Sequence, residues 1–542
     1  MEKQHQKHPT VLEPFSLFLV IGTSIVGAII GMQLIVSLGI SANTAIIGAL
    51  LAMVIARIPI GIFRKYRSIH RQNLIQTAIS SATFGAANSL LIPIGIPFVM
   101  GKPELILPML IGAALAMFVD ALILYRLFDS KIFPASGTWP PGVATAESII
   151  AGDQGGKRAG LLGIGAAGGI LGSYLGIPMS AFGVAFIGNI WALTMFGVGL
   201  LLRGYSVQLF GVDINELYIP HGLMIGAGLV ALVQVTYLIL KRKNNATEAP
   251  ASADNQRVDA SAESNGEHYT RTERDTTRAL GYGFLAYVAV ALILAVVGGI
   301  VSDMSPGMFV LYLLFAAFAA FVHELIVGIA AMHSGWFPAF AVALITLIIG
   351  ILIGFPPVAL ALLVGYSAAT GPAFADMGYD LKTGYILRGF GRDRVFELDG
   401  RKQQFIAAMI AFAVALVAVF FAYEGYFAQN LVPPVDKVYV ATIEAGVSPD
   451  IAWQLFIWAI PGALLQLLGG ARRQLGVLFA TGLLILFPQA GWAVLAGIVI
   501  RAVVLRVKGK DAETPMSIMA AGFIAGDALY SFFNSVFKFS KH

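Results

Sequence analysis

Apolar residues run along this chain in long blocks rather than in alternation. About sixteen of these blocks approach the ~17 to 25 residues that a helix needs to cross hydrocarbon, the first near residues 15–38 and the last near 515–537. Barrel strands would alternate over only ~10 positions, so the pattern predicts an all-α polytopic membrane protein of about 14 to 16 transmembrane helices. Two polar stretches interrupt the blocks, each opening on helix-breaking residues. One is Trp139-Pro140-Pro141-Gly142-Val143-Ala144-Thr145-Ala146-Glu147, and the other is Gly371-Pro372-Ala373-Phe374-Ala375-Asp376 running on into Asp380-Leu381-Lys382-Thr383-Gly384-Tyr385. Each follows about four apolar spans, so the chain reads as two pseudo-repeated halves with broken or re-entrant helices, the usual pointer to a transporter's substrate site.

The predicted organisation is an N-terminal tail (1–14), a first membrane half (15–240), a polar linker (241–278), a second membrane half (279–537) and a C-terminal tail (538–542). The linker is too poor in apolar residues to form a core. Basic clusters at Arg64-Lys65-Tyr66-Arg67, Lys241-Arg242-Lys243, residues 388–402 and Arg472-Arg473 mark cytoplasmic loops, which also puts the N-terminus in the cytoplasm of a cell with this protein in its inner or plasma membrane. About seven clear spans separate the N-terminus from the linker, so residues 132–151 must supply a further crossing to keep both ends on one side.

Composition agrees with this reading: 58% of residues are hydrophobic and 12% charged, with mean hydropathy +0.81. The first apolar run lacks a small-residue cleavage site and reads as a retained helix. There is no cysteine, which excludes disulfides and thiolate chemistry. The net charge of +5 sits mostly in loops and bears on topology, not on nucleic acid. Gly160, Gly163, Gly165, Gly168, Gly169, Gly172 and Gly176 place small residues repeatedly four apart, serving either close helix packing or a sliding surface.

The two stretches carry a family resemblance. The first resembles the aromatic-Pro-small-Gly-x-Ala-Thr-Ala-Glu motif of the oligopeptide transporter family, whose members include the yellow stripe-like metal-chelate carriers. Residues 380–385, followed by Arg401-Lys402-Gln403-Gln404, resemble the second-half signature of its prokaryotic branch, and Ala521-Gly522-Phe523-Ile524-Ala525-Gly526-Asp527-Ala528-Leu529-Tyr530 is similar to its last helix. The sequence departs from the family at His333-Ser334-Gly335-Trp336-Phe337-Pro338, where an Asn-Pro arrangement is expected. The resemblance implies a secondary active transporter moving short oligopeptides by proton symport with alternating access; import of metal chelates or siderophore-like compounds is the alternative. Expected partners are a peptide or other small molecule and the lipid bilayer, with a homodimer left open, and no cofactor beyond the proton gradient.

The residues themselves point the same way. Pro140-Pro141-Gly142 cannot continue a helix, so a new one starts near Val143 with its positive end directed inward, suited to a carboxylate unless Glu147 or Asp153 already satisfies it. Candidate substrate-binding residues are Thr138, Trp139, Gly142, Thr145, Glu147, Asp376, Asp380, Lys382, Thr383 and Tyr385; Lys382 could instead snorkel. Trp139, Trp336 and Tyr385 could stack on substrate or anchor at an interface. Candidate proton carriers are Glu147, Glu324 and Asp527, because ionisable groups at membrane depth tend to be functional; Glu324 could equally be held by a neighbouring helix. Asp120 and Arg126 are expected near a membrane face, solvated or paired with each other.

Other classes fit less well. An intramembrane metalloprotease needs two histidines four apart, yet Val327 stands four after His323. Ser136-Gly137 or Ser334-Gly335 with His221 or His333 carries no serine-protease signature. No phosphate-binding Gly-x-x-x-x-Gly-Lys-Ser/Thr loop occurs, so energy would come from an ion gradient. A channel is disfavoured by the duplication.

Overall fold

The computed structural model describes residues 7–39, 48–49, 51–52, 61–152, 157–248, 269–334 and 338–539. Asp153, Gly335, Trp336 and linker residues 249–268 lie outside the described residues. The first half holds α1 (Pro14–Leu38), α2 (Ile69–Val99), α3 (Ile106–Leu127), α4 (Pro140–Gly152), α5 (Lys157–Tyr174), α6 (Met179–Ile187), α7 (Ile190–Phe210) and α8 (Ile219–Glu248). The second holds α9 (Glu273–Val297), α10 (Pro306–Ser334), α11 (Ala339–Ile353), α12 (Pro357–Ala369), α13 (Pro372–Leu387), α14 (Arg394–Phe427), α15 (Pro434–Ala445), α16 (Pro449–Arg473), α17 (Leu475–Leu484), α18 (Pro488–Lys508) and α19 (Glu513–Phe539). Helix α8 extends into the linker segment as far as Glu248, and α9 enters from it at Glu273.

Among the described residues, ten helices are long and apolar enough to cross a membrane, and four shorter apolar ones join them. The all-α polytopic expectation is therefore met. Proline and glycine set the ends: α1 starts on Pro14, whose missing N–H costs nothing there, and stops at Gly39 in the left-handed region. Residues 132–139 are irregular, and α4, at 13 residues, is only about 20 Å long, well short of the ~30 Å hydrocarbon layer. By length it can cross only part of that layer, and it is called half-crossing in that sense.

The two halves exchange contacts in a reciprocal way that defines a pseudo-twofold relation. Helix α5 packs on α19 as α16 packs on α8, and α6 packs on α18 as α17 packs on α7. The 31-residue segment of α2 corresponds to the 31-residue segment of α12 and α13, each broken near its middle. In α2 the break is a π-helical stretch, Gly85–Leu91. In its counterpart it is Thr370-Gly371-Pro372, where Gly371 takes φ +93°, a conformation side chains resist. Helix α4, seated on α13, corresponds to α15, seated on the C-terminal part of α2. The fold thus pairs the first polar stretch with residues 433–446 and not with residues 371–385.

The glycine-rich face of α5 meets the matching face of α19. A Cβ on Gly169 would lie 2.4 Å from the Phe523 carbonyl oxygen, and one on Gly526 2.2 Å from that of Ala166. Such spacing is backbone-to-backbone packing of the small-residue kind.

The described part of the N-terminal tail is strapped onto α14. His8 donates its backbone N–H to Asp399 (3.2 Å), Val11 donates its own to Gln403 (3.0 Å), and the His8 ring packs 5.4 Å from His70 and 5.2 Å from Phe396. Burial, then the nearby Arg388 guanidinium, pushes the His8 imidazole down to about 4. Because the folded value lies below the ordinary 6.5, docking is at full strength above pH 6.5 and weakens as pH falls toward 4. Proteolysis within residues 7–12 should therefore quicken between pH 6.5 and 4 in wild type and depend less on pH in His8→Phe, where the half-buried His70 is the remaining titrating ring; equal pH sensitivity in both would exclude His8.

Candidate functional site

A cavity of about 430 Å³ lies where the two halves meet. Both broken segments reach it, through Phe84, Asn88 and Ile92 on one side and Ala368, Pro372 and Tyr379 on the other. Both half-crossing helices present their first turn to it, through Pro141 and Val435. The short helices α6 and α17 complete it near Gly188 and Val477. Its polar groups, Asn88, Asn189, Gln474, Tyr379, Tyr439 and Thr481, are all uncharged at neutral pH. The lining is mostly apolar, as small-molecule pockets are.

The sequence-predicted residues surround this cavity more than they line it. Trp139 takes φ +35° and is held by its N–H to the Met332 carbonyl (2.8 Å), which also accepts from the Thr138 hydroxyl. Its fully buried ring lies against Gly378, edge-on to Tyr379. Gly142 has no room for a side chain, since a Cβ would stand 2.5 Å from the Tyr379 carbonyl oxygen. Thr383 donates to the Gly142 carbonyl (3.0 Å), and Thr145 is spent on the Pro141 carbonyl one turn back (2.8 Å). Glu147 is exposed, midway along α4.

Helix α13 is buried on nearly every side. Asp376 accepts from Ser80, and Asp380 accepts from Gln76 (2.6 Å) and Ser81 (3.3 Å), all on α2. Lys382 reaches back to donate to the Ala135 carbonyl (2.9 Å) and lies 5.3 Å from the Tyr385 ring centroid. Gln404 donates to the Asp380 carbonyl (2.6 Å) and accepts from Arg388 (2.7 Å). From there a buried ion network runs from Arg388 to Glu397 (2.8 Å), to Arg401 (2.6 Å) and to Asp129 (3.1 Å). The Arg401-Lys402-Gln403-Gln404 signature is thereby explained in part: Arg401 and Gln404 lock α14 to the ends of α3 and α13, while Gln403 anchors the N-terminal strap.

Asp527 ties three helices together, accepting from the Ser173 hydroxyl and from the Ser180 N–H (2.7 Å) at the start of α6. Glu324 is fully buried and accepts from the Tyr287 hydroxyl (2.6 Å). His323 bonds Ser367 (3.0 Å). Asp120 differs from expectation: it is fully buried, and instead of meeting solvent or Arg126 it accepts from the N–H groups of Gly371 and Phe374. The break at Gly371 requires an acceptor for those donors, and Asp120 supplies it. An acid midway along an otherwise apolar span was the available signal.

Sequence reading also passed over Asp436, fully buried with neither carboxyl oxygen hydrogen-bonded, lodged against Gly95. Its segment repeats the first motif: Pro433-Pro434 followed by Val440-Ala441-Thr442-Ile443-Glu444 mirrors Pro140-Pro141 followed by Val143-Ala144-Thr145-Ala146-Glu147, with four extra residues, about one helical turn, in between.

Twofold-related halves, paired broken helices and a cavity on their junction are the arrangement of a polytopic membrane transporter. The chain belongs to the oligopeptide transporter family: the family model described as OPT oligopeptide transporter protein matches residues 14–217 and 210–538. Members of this family are transporters, not enzymes. No curated protein matches the chain.

Proposed function

We propose that the chain carries short oligopeptides through the central cavity by proton symport, the two halves alternating access to either side, in a cell membrane with the N-terminus cytoplasmic. The observation that carries this reading is the cavity itself. Its neutral amide, hydroxyl and phenol groups on an apolar wall match a peptide, whose backbone is a series of neutral donors and acceptors between side chains. Glu147 stands six residues, about 9 Å, beyond Pro141 along α4, where it meets the peptide's ammonium on the way in. Charge stays outside the cavity.

The test is uptake into proteoliposomes under an inward-acid gradient, with labelled short peptides and iron or nickel chelates in parallel vesicles. Gradient-dependent peptide accumulation, reduced in Glu147→Gln, is the expected result. Accumulation of chelate alone would reassign the cargo, and accumulation of neither would defeat the reading.

A further inference from the structure

Asp120 holds the second broken helix at its break. Its carboxylate receives the Gly371 N–H (2.9 and 3.0 Å to the two oxygens), just before α13, and the Phe374 N–H (2.8 Å) in its first turn. Ala368 and Pro372, on either side of that break, are cavity wall. One carboxyl therefore fixes the place where the wall is hinged.

That carboxyl is not alone. The Tyr287 hydroxyl from α9 lies 3.3 Å from Asp120 and 2.6 Å from Glu324 of α10, and the other Glu324 oxygen has no hydrogen-bond partner. All three side chains are fully buried. The other titratable groups nearby are turned elsewhere: Tyr366 of α12 donates to the Tyr287 carbonyl, His323 faces Ser367, and Asp376 of α13 faces Ser80 of α2. No Lys or Arg among the described residues is ion-paired with either acid. A hydroxyl donates one hydrogen and can satisfy one of two carboxylates at a time. Two charged carboxyls in so dry a place, sharing one phenol, repel each other, and a single proton between them removes the conflict.

We propose that Asp120, Tyr287 and Glu324 form the site that carries the coupling proton, and that the proton's position sets the grip on the broken helix. This rests on the symport reading above. With the proton on Glu324, Asp120 is charged and its bonds to Gly371 and Phe374 are charge-assisted, roughly twice as strong as neutral ones. With the proton on Asp120, Glu324 becomes the carboxylate that accepts from Tyr287, the bonds at the break weaken, and Ala368 and Pro372 are free to move. The transfer itself conserves the proton, which changes carboxyl; symport requires in addition that the pair take it from the acid side and release it to the other side once per peptide.

The experiment compares the reconstituted full chain with Asp120→Asn and Glu324→Gln in two assays on a labelled alanyl tetrapeptide. One is accumulation driven by a pH gradient, and the other is counterflow, which needs no gradient. Loss of accumulation with counterflow retained is the expected result for both variants. Glu324→Gln touches no backbone donor and decides the matter if Asp120→Asn does not fold. Accumulation equal to wild type in Glu324→Gln would overturn the site while leaving symport standing, and so would loss of both activities in folded Glu324→Gln protein. A wild-type protein that exchanges the peptide yet ignores the gradient would overturn symport, and the proton site with it.

Discussion

Glu397→Ala is expected to be among the most destabilising single substitutions in this protein. Glu397 is 1% exposed and accepts from both Arg388 (2.8 Å) and Arg401 (2.6 Å), with Asp129 as the second acid of the network. Its removal leaves two guanidinium groups buried against one carboxylate. Breaking a buried pair by deleting one partner costs about 3–5 kcal/mol, because the remaining charge has neither water nor counterion. The damage would spread, since Arg388 also holds Gln404, and Gln404 holds the Asp380 carbonyl on α13. Thermal unfolding in detergent should show a drop of many degrees and a poor monodisperse yield. Glu397→Gln, which keeps the volume and one acceptor oxygen, should fall between. A Glu397→Ala protein as stable as wild type would mean the network is solvated and structurally idle.

Most of the helical layout was legible in the sequence, because a bilayer demands runs of a fixed length and the chain supplies them. The first span was expected over residues 15–38 and forms Pro14–Leu38; the last was expected over 515–537 and forms Glu513–Phe539. Charge parity asked residues 132–151 for a further crossing, and the structure gives them an irregular stretch and a helix too short to cross alone. Partner choice was not. Hydropathy marks Asp120 as an acid in an apolar helix but cannot say that Gly371 and Phe374, some 250 residues later, will each offer it an N–H group. The repeat was seen, yet its halves were matched by their shared prolines and polarity, and the four-residue insertion in 433–446 hid the closer counterpart. The second motif's polar residues read as a binding surface, whereas Asp376, Asp380, Lys382 and Thr383 bond to α2, to the Ala135 carbonyl and to α4. Motif residues that fasten two elements together look, in one dimension, like residues that await a ligand. Pro141, Pro372 and Tyr379 are where the motif segments touch the cavity.

That fastening gives the second large effect, which falls on transport. Gly378→Ala should abolish uptake, because a Cβ there would lie 2.1 Å from the six-membered ring of Trp139, a ring that is fully buried and has nowhere to retreat. Overpacking of this kind typically costs about 1–3 kcal/mol, released here by pushing α4 away from α13. Pro141 and Tyr379, one on each of those helices, would move apart, and the cavity wall would open between them. The diagnosis is checked by compensation. The indole atoms nearest Gly378 belong to the outer ring, which Trp139→Phe deletes, so the double variant should recover much of the uptake that Gly378→Ala alone loses. If Trp139→Phe were itself inactive and the double variant no better, the indole would be contributing to substrate passage directly and not as the spacer between two helices. Recovery would make the motif's aromatic residue a gauge of helix separation, set by Gly378 and Gly142 together, and would explain why an aromatic, two prolines and a glycine stand in a row where a short helix must begin against another.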